Sequence, residues 1–470
     1  MDQRETPVAT AADAYLADER IAPFTTPGHK RSPHLADGAL LYDLPLTTAV
    51  DDLHSSRGVL ARAHALAADL WGAELARFCL NGSTQGNEAL ALAVGGDGGR
   101  IVVSRNLHAS LFSGLVLAGL EPVWVRPDID AATGLPRSVP AARVEDALAR
   151  AGDARAVFLV EPSYVGVLSD VAAIADAAHG RGAPLLVDQA WGAHLGFHPE
   201  LPPHTLALGA DGMVTSAHKT LAAFTQGAYL FGSGGLLDLA RLDGAFDMLH
   251  TTSPSAAILA SLDRTRALMA ARGEELLGRT IALARHAREE LEAVEGLTVA
   301  ATDDPTKLVL ALAGTGADGL EVERDLVAAG LPLELANRDT LVPLLTIGDT
   351  EESVGRLVAA VRESVERRRG EPRDPGAASA VWAVEPEVAL TPREAFYAPR
   401  ETVPAERAAG RVSAETVAPY PPGIPALAPG EVVSAAIVAA LREAAAGGTH
   451  LSYAADPTLE TLQVVSRPRG

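Results

Sequence analysis

Lys219 is the residue whose sequence setting most favours covalent chemistry. It lies in the segment 215–220, between the apolar run at 210–214 and the small-residue segment at 221–227. A lysine that folding partly removes from water has a lowered pKa, and its neutral amine can form a Schiff base with an aldehyde. The alternative is a solvated surface lysine, which is the commonest setting for this residue type.

Asp188 lies 31 residues before Lys219 and directly follows the apolar run at 183–187. The runs before the two residues predict buried strands, so both side chains are expected at strand ends. Successive strands that deliver an aspartate and a lysine suit a pyridoxal phosphate site, where the aspartate pairs with the pyridinium nitrogen. The pair therefore indicates pyridoxal phosphate chemistry.

A third element is a glycine-containing turn at residues 81–87, between a predicted strand at 77–80 and a helix that follows. Such a turn brings free backbone N–H groups and the hydroxyls of Ser83 and Thr84 together, as a phosphate site requires. The alternative is an ordinary helix cap made by one of these hydroxyls.

Composition indicates a globular protein and argues against several classes. The chain has 470 residues, enough for two or three domains, of which 48% are hydrophobic and 21% charged. A formal charge of −21 argues against nucleic acid binding, which needs clustered Lys and Arg. The acidic surface either steers cationic small molecules or serves solubility.

Cysteine usage and hydropathy predict a cytoplasmic protein that does not enter a membrane. The single cysteine, Cys79, excludes an internal disulfide framework, and no Cys-rich metal pattern occurs. The first twenty residues are polar, unlike a secretion signal. No uninterrupted apolar run reaches the roughly eighteen residues that would span a bilayer.

The elements that must position these residues belong to an α/β fold. Apolar runs alternate with amphipathic helical patterns, which predicts a mostly parallel sheet covered on both faces. The predicted strands lie at 77–80, 101–103, 123–125, 156–160, 185–188 and 212–215. Asp188, His108 and the Gly82 turn fall at strand ends, where such sheets bind ligands.

Four segments are predicted along the chain. They are an N-terminal arm (1–50) with a helix at 9–22, a large domain (51–295), a smaller α/β domain (296–370) and a C-terminal α+β domain (371–470). A long helix at 256–296 is expected to join the large domain to the smaller α/β domain. The charged, Pro- and Gly-rich stretch at 368–376 is interpreted as a linker.

Several motifs in order resemble the ornithine/lysine/arginine decarboxylase family of fold-type I pyridoxal phosphate enzymes. They are 26–30 (TPGHK), 81–87 (NGSTQGN), 105–110 (RNLHAS), 188–194 (DQAWGAH), 216–219 (SAHK), 251–255 (TTSPS) and 419–425 (PYPPGIP). The resemblance covers about residues 20–430. It implies an aspartate aminotransferase-like large domain and a short form without the amino-terminal receiver-like domain of the longest members.

By this resemblance, Lys219 would hold pyridoxal phosphate covalently and Asp188 would keep its ring nitrogen protonated. His108 would stack on the ring, although a lone histidine is more often structural. His218 would lie near the phosphate or the reacting centre, and Lys219 or His218 would return a proton to the substrate's α carbon. The remaining cofactor contacts would come from Gly82, Ser83, Thr84, Ala190 and Ser216.

The resemblance also implies a homodimer or higher homo-oligomer with shared sites. Thr252 and Ser253 lie in the segment that would reach the phosphate of a neighbouring subunit. The alternative for this segment is a capped helix start.

The implied reaction is decarboxylation of a basic L-amino acid to its amine and carbon dioxide, with arginine preferred over lysine or ornithine. The amine would serve polyamine synthesis or acid resistance. Trp191 would contact the substrate, and Glu394 or Glu401 would bind its distal cation unless both are solvated surface residues. Ala109 stands where the family often has lysine, which puts the substrate preference in question.

Two other functions stay open from the sequence. One is an aminotransferase or another lyase on the same fold. The other is a pyridoxal phosphate-binding regulatory subunit without catalysis.

Overall fold

The structure is a computed structural model that describes most of the chain. The residues outside the description are 19, 22–24, 28, 31–42, 45, 47–49, 52–57, 131–134, 374–380, 383, 386, 421–422, 447–448 and 467–470. Several sequence expectations fall partly there, and these parts lie outside the described residues. They are Gly28 of the TPGHK motif, residues 31–42 of the arm, the end of the predicted linker, and Pro421 and Pro422 of the PYPPGIP turn.

A seven-stranded sheet contains the strands predicted between residues 77 and 215. Its strands are β1 (Leu75–Cys79), β2 (Arg100–Ser104), β3 (Glu121–Val125), β4 (Val157–Val160), β5 (Leu185–Asp188), β6 (Gly212–Thr215) and β7 (Ala228–Gly232). The strand order is β1-β7-β6-β5-β4-β2-β3. Strand β7 runs antiparallel to both of its neighbours, β1 and β6, and all other neighbouring pairs are parallel. The mostly parallel sheet is confirmed. The sequence patterns missed β7, because this strand returns from β6 without the crossover helix that marks parallel strands.

Helices cover both faces of this sheet. Ile101 and Val103 of β2 pack in one core, whereas Val102 packs in another, as alternation along a strand requires. The helices of the described chain, in order, are α1 (Pro7–Ala17), α2 (Val59–Trp71), α3 (Gly82–Val94), α4 (Ala109–Ala118), α5 (Ala141–Ala151), α6 (Val171–His179), α7 (Ala217–Thr220), α8 (Leu239–Leu249), α9 (Ala256–Glu292), α10 (Gly319–Ala328), α11 (Glu351–Arg367), α12 (Pro392–Tyr397) and α13 (Ala435–Ala446). Helices α3, α4 and α8 cover one face, and α5 and α6 cover the other.

Two glycines set the position of α3 on the sheet. A Cβ atom at Gly86 would lie 2.3 Å from Cγ2 of Val214 in β6, so a larger residue would push the helix away from the strand. Gly82, the first residue of α3, has a φ of +68°, which glycine adopts without steric cost. Together they fix where the first turn of α3 lies.

A second, smaller sheet follows the long helix α9. Its strands are β8 (Thr298–Val299), β9 (Leu310–Ala311), β10 (Leu335–Ala336) and β11 (Thr340–Val342), all paired antiparallel in the order β10-β11-β9-β8. Helices α10, α11 and the end of α9 share its core. Although α9 has 37 residues, no helix among the described residues is both long and apolar enough to cross a membrane.

One predicted helix end differs from the observed one, and part of the predicted linker makes ordered contacts. Helix α1 ends at Ala17 rather than at residue 22. The first part of the predicted linker is held by ion pairs: Arg368 binds Asp325, and Arg373 binds Asp339. The division into four domains stays a prediction.

The C-terminal segment contains α12, α13 and two small sheets. The strands are β12 (Arg400–Pro404), β13 (Ala418–Tyr420), β14 (His450–Ser452) and β15 (Thr461–Val465), with β12 paired to β15 and β13 to β14.

A buried ion pair joins this segment to the large sheet. Arg105, directly after β2, donates from Nη1 and Nη2 to the two carboxylate oxygens of Glu431 at 2.5 and 2.9 Å. Its Nε also donates to the carbonyl of Pro425 at 3.1 Å. These contacts hold the loop after β13 against the carboxyl ends of the parallel strands.

Candidate active site

One cavity lies at the carboxyl ends of the parallel strands, where an open α/β sheet binds its ligand. Its lining includes Ser83 from the first turn of α3, His108 after β2, Asp188 at the end of β5, Trp191 after β5 and Lys219 after β6. Residues far apart in the sequence therefore converge on one space. In particular, the amine of Lys219 and the carboxylate of Asp188 line the same cavity.

Lys219 lies in the short helix α7 and is half-buried. Its Nζ is 4.1 Å from the centroid of the Trp191 ring. Burial lowers the pKa of Lys219, the charges of Asp188 and Glu334 oppose this shift, and the charge of Lys307 adds to it. The amine is therefore closer to its neutral, nucleophilic form than a solvated lysine would be.

Asp188 is 2% exposed, and backbone and side-chain donors hold its carboxylate. Oδ1 accepts a hydrogen bond from the N–H of Ala190 at 3.0 Å, and Oδ2 accepts one from Nδ2 of Asn87 at 2.6 Å. Ala190 also lines the cavity. The two donors fix the carboxylate in one orientation.

The tautomer of His108 follows from its hydrogen bonds. His108 is the N-cap of α4, and its Nδ1 accepts from the backbone N–H of Ser110 at 3.2 Å. A nitrogen that accepts carries no proton, so the proton of the neutral ring is on Nε2. Burial lowers the pKa of His108, the charge of Asp188 opposes this shift and the charge of Lys219 adds to it; the lowered pKa also favours the neutral ring.

Ser110 and Asn87 connect His108 to Asp188. The hydroxyl of Ser110 lies 2.8 Å from Nδ1 of His108 and accepts from Nδ2 of Asn87 at 2.9 Å. The same Nδ2 donates to Asp188. His108 and Asp188, which were both expected to contact the cofactor ring, thus belong to one hydrogen-bonded chain.

The start of α3 and the residue before α7 have polar groups suited to an anion. The N-cap Asn81 makes no side-chain hydrogen bond to α3, and Ser83 lies in its first turn on the cavity. Ser216 is completely buried, and its Oγ has no hydrogen-bond partner among the described residues. Thr84 is half-buried outside the lining, and the N–H of Gly82 already bonds the carbonyl of Gln226 at 2.9 Å.

A pyridoxal phosphate molecule fits this set of groups. The first turn of α3, with Ser83 on the cavity, offers donors to a phosphate, whereas the unpartnered hydroxyl of Ser216 lies outside the cavity lining. The held carboxylate of Asp188 and the desolvated amine of Lys219 match the two ends of the reactive ring. The N–H of Gly82, which was expected to bind the phosphate, donates instead to the carbonyl of Gln226.

His218 does not line the cavity, in contrast to the sequence expectation. Its Nδ1 lies 2.9 Å from the carbonyl of Gly227, to which it donates. Consecutive helical residues point about 100° apart, so Lys219 and His218 face different surroundings. His218 therefore lies outside the lining of this cavity, and its role in returning a proton stays a prediction.

The expected contacts from Glu394 and Glu401 are also absent from the cavity lining. Glu394 forms a capping box with Thr391 at the start of α12. Glu401 lies on the exposed strand β12 and pairs with Arg411 at 2.6 Å. Both carboxylates have surface roles in this chain.

Thr252 and Ser253 are exposed and lie outside the cavity lining. They precede α9, whose N-cap is Ser255. The capped helix start that was the alternative for the segment 251–255 is therefore present, with Ser255 as the N-cap.

Several residues of the site were missed from the sequence. Asn87, which bonds Asp188 from outside the cavity lining, is four residues after Ser83 on α3, so helical spacing places both on one face, and this signal was available. Tyr164, Glu334 and Tyr453 line the cavity, but they lie in loops outside every quoted motif. No local pattern marks them.

A second lysine supports the Trp191 ring. Nζ of Lys307 is 5.3 Å from the ring centroid, and its side chain is 2% exposed. Nearby, Nε2 of His194 lies 2.8 Å from Oδ2 of Asp304, and both are buried. These contacts tie the segment after β5 to the segment before β9.

Comparisons with known proteins agree with this geometry. The model of the Orn/Lys/Arg decarboxylase major domain matches residues 6–309, and that of the Orn/Lys/Arg decarboxylase C-terminal domain matches residues 376–451. An arginine decarboxylase of Halalkalibacterium halodurans is 34% identical over 482 residues, covering 98% of this chain and 98% of the relative.

Two solved structures show the fold. The lysine decarboxylase LdcF of Francisella novicida is similar over 98% of this chain and 81% of its own, with a TM-score of 0.83 and 20% identity. The serine palmitoyltransferase of Sphingomonas wittichii is similar over 77% of this chain and 84% of its own, with a TM-score of 0.56 and 15% identity. The predicted fold-type I architecture is confirmed.

Proposed function

Since this chain belongs to the Orn/Lys/Arg decarboxylase family and is an amino acid decarboxylase, we propose that it uses pyridoxal phosphate to convert arginine to its amine and carbon dioxide. The observation that carries the proposal is the convergence of Lys219 and Asp188 on one cavity. Arginine is chosen among the basic amino acids because a relative that matches nearly the whole chain is named an arginine decarboxylase.

The cofactor would be held at three points. Lys219 would bind it covalently through Nζ, and Asp188 would pair with the ring nitrogen. Ser83, Ser216 and the first-turn N–H of Thr84 would hold the phosphate. Bound there, pyridoxal phosphate supplies an electron sink for the electron pair that remains when carbon dioxide departs.

Asp188, whose carboxylate is held in one orientation by Asn87 and Ala190, would pair with the ring nitrogen and keep it protonated. His108 presents a neutral imidazole, which can stack on an aromatic ring without adding a positive charge beside Lys219. The hydrogen-bonded chain through Ser110 couples the orientations of His108 and Asp188.

Lys219 also completes the reaction. Once the carboxylate has left, the α carbon needs a proton, and Nζ of Lys219 is the group at the cavity that can deliver it. Trp191 holds this amine over its ring face and keeps water away from it. The proton would therefore return to the α carbon from Nζ of Lys219, since His218 lies outside the cavity lining.

We propose a homodimer as the smallest active unit. Thr252 and Ser253 are exposed and lie outside the lining of their own cavity, so they are available to the phosphate site of a second copy. A cytoplasmic location is proposed from the single cysteine, Cys79. This thiol is fully buried in β1, and burial raises its pKa, which keeps it unreactive.

The test is to supply the purified protein and pyridoxal phosphate with arginine, lysine or ornithine, and to measure carbon dioxide and amine. We expect the highest kcat/KM with arginine and no turnover by Lys219→Ala. No amine from any of the three would refute the function. A keto acid product instead would indicate an aminotransferase.

A further inference from the structure

The cavity lining contains a second carboxylate, which is exposed to solvent, whereas that of Asp188 is buried. Glu334 lies just before β10 and lines the same cavity as Lys219, but its side chain is exposed at the mouth. Among the described residues that line the cavity, Asp188 and Glu334 are the acidic ones. Because Asp188 is buried and held by two donors, Glu334 is the carboxylate free to meet a ligand that enters.

Aromatic side chains connect Glu334 to the reacting amine. Nζ of Lys219 lies over the Trp191 ring, and this ring meets that of Tyr164 edge-on, with centroids 4.7 Å apart. The hydroxyl of Tyr164 in turn donates to Oε1 of Glu334 at 3.1 Å. The two rings therefore form a wall that runs from Lys219 to the carboxylate at the mouth.

Two further tyrosines line the same cavity as Glu334. Tyr420 and Tyr453 line the cavity from the C-terminal segment. Burial, and then the charge of Glu334, raise the pKa of both Tyr164 and Tyr420, so these hydroxyls stay protonated donors. A carboxylate among aromatic rings is a setting that attracts a cation, because ring faces are electron-rich.

We propose that Glu334, oriented by Tyr164, binds the distal guanidinium of the substrate and determines the preference for a cationic side chain. This inference rests on the proposed decarboxylase function and assigns to Glu334 the role that the sequence suggested for Glu394 or Glu401. Tyr164 fixes Oε1, while no described protein donor bonds Oε2. A planar guanidinium can then use both oxygens and stack on a neighbouring ring, which a compact ammonium does less well.

The test compares arginine with citrulline, whose neutral urea group has nearly the shape of guanidinium. In the wild-type protein with pyridoxal phosphate, we expect kcat/KM for arginine to exceed that for citrulline. Glu334→Gln should reduce kcat/KM for arginine roughly 10- to 100-fold, as loss of a charge-assisted pair implies, mainly through KM. The value for citrulline should change little.

Matched variants separate this effect from a general loss of structure. Glu289→Gln removes one exposed negative charge on α9, away from the cavity, and should leave both substrates unchanged. Tyr164→Phe keeps the carboxylate but removes its donor, so a smaller loss for arginine is expected. Glu334→Asp should retain more arginine activity than Glu334→Gln.

A calorimetric titration with agmatine, the amine product of arginine, decides the inference independently of turnover. Tight binding to the wild-type protein that weakens at least 10-fold in Glu334→Gln supports it. Equal binding, or an unchanged ratio of arginine to citrulline activity, would overturn it. A wild-type protein that releases no amine would refute the decarboxylase function, whereas the agmatine titration would still report on Glu334.

Discussion

The buried pair between Arg105 and Glu431 gives a prediction that links folding to the site. The two side chains are 9% and 2% exposed, and they share two hydrogen bonds. Arg105→Met leaves the Glu431 carboxylate buried, with the N–H of Ala428 at 2.8 Å as a remaining donor. Removing one partner of such a pair costs about 3–5 kcal/mol of unfolding free energy.

In a chain of 470 residues, that loss corresponds to a fall in Tm on the order of 3–5 °C. The double variant, Arg105→Met with Glu431→Met, removes both charges and should recover at least half of the loss. Because Gly423 and Ile424 line the cavity beside this pair, the single variant should also raise KM for the substrate. Kinetics at a temperature well below the Tm of each variant measure this second effect.

Thermal unfolding of the wild-type protein, the two single variants and the double variant completes the cycle. Arg272→Met, which breaks an exposed pair with Glu275 on α9, serves as the control and should change Tm little. Additive losses in the double variant, or a wild-type Tm for Arg105→Met, would refute the coupling.

Three further predictions follow from other buried groups. Lys307→Met removes a cation that lowers the pKa of Lys219, so the pH profile for condensation of the cofactor-free protein with pyridoxal phosphate should move to higher pH; an unchanged profile would contradict this. Burial raises the pKa of Glu161 to about 7, so its protonated form stabilises the fold and this stability is lost as pH rises from about 4.5 to about 7. Glu161→Gln should therefore raise Tm at pH 8 more than at pH 5, and equal shifts would count against it. Ser110→Ala breaks the chain between His108 and Asn87 and should lower kcat roughly 5- to 10-fold with little change in Tm.

The large sheet was predictable because its strands are continuous apolar runs separated by helical patterns. Asp188 ends one such run and Lys219 closely follows another, and parallel strands bring their carboxyl ends to one edge of a sheet. Asp188 and Lys219 line one cavity because the strands before them are parallel, and the pattern of strands and helices in the sequence predicts this. Strand β7 was not predictable in this way because a turn, and not a crossover helix, precedes it.

The distal end of the cavity was not predictable, because loops from separate parts of the chain form it. Glu334 meets Tyr164 across 170 residues, and nothing local marks either one. Glu394 has a local signal of its own, since Thr391 three residues before it gives the spacing of a capping box. That local signal already indicated a structural role.

The direction of a side chain within a short helix also lies beyond sequence patterns. His218 and Lys219 are adjacent, yet the carbonyl of Gly227 binds one and the Trp191 ring meets the other. Only the fold around α7 decides which of them reaches the cavity.

The most direct test of the central claim is to find which lysine pyridoxal phosphate modifies. The chain has three lysines, at positions 30, 219 and 307. Borohydride reduction of the loaded protein, followed by peptide mass mapping, should locate the pyridoxyl group on Lys219, and Lys219→Ala should lose both the label and the visible absorption band. A label on Lys30 or Lys307, or a band that persists in Lys219→Ala, would contradict the account.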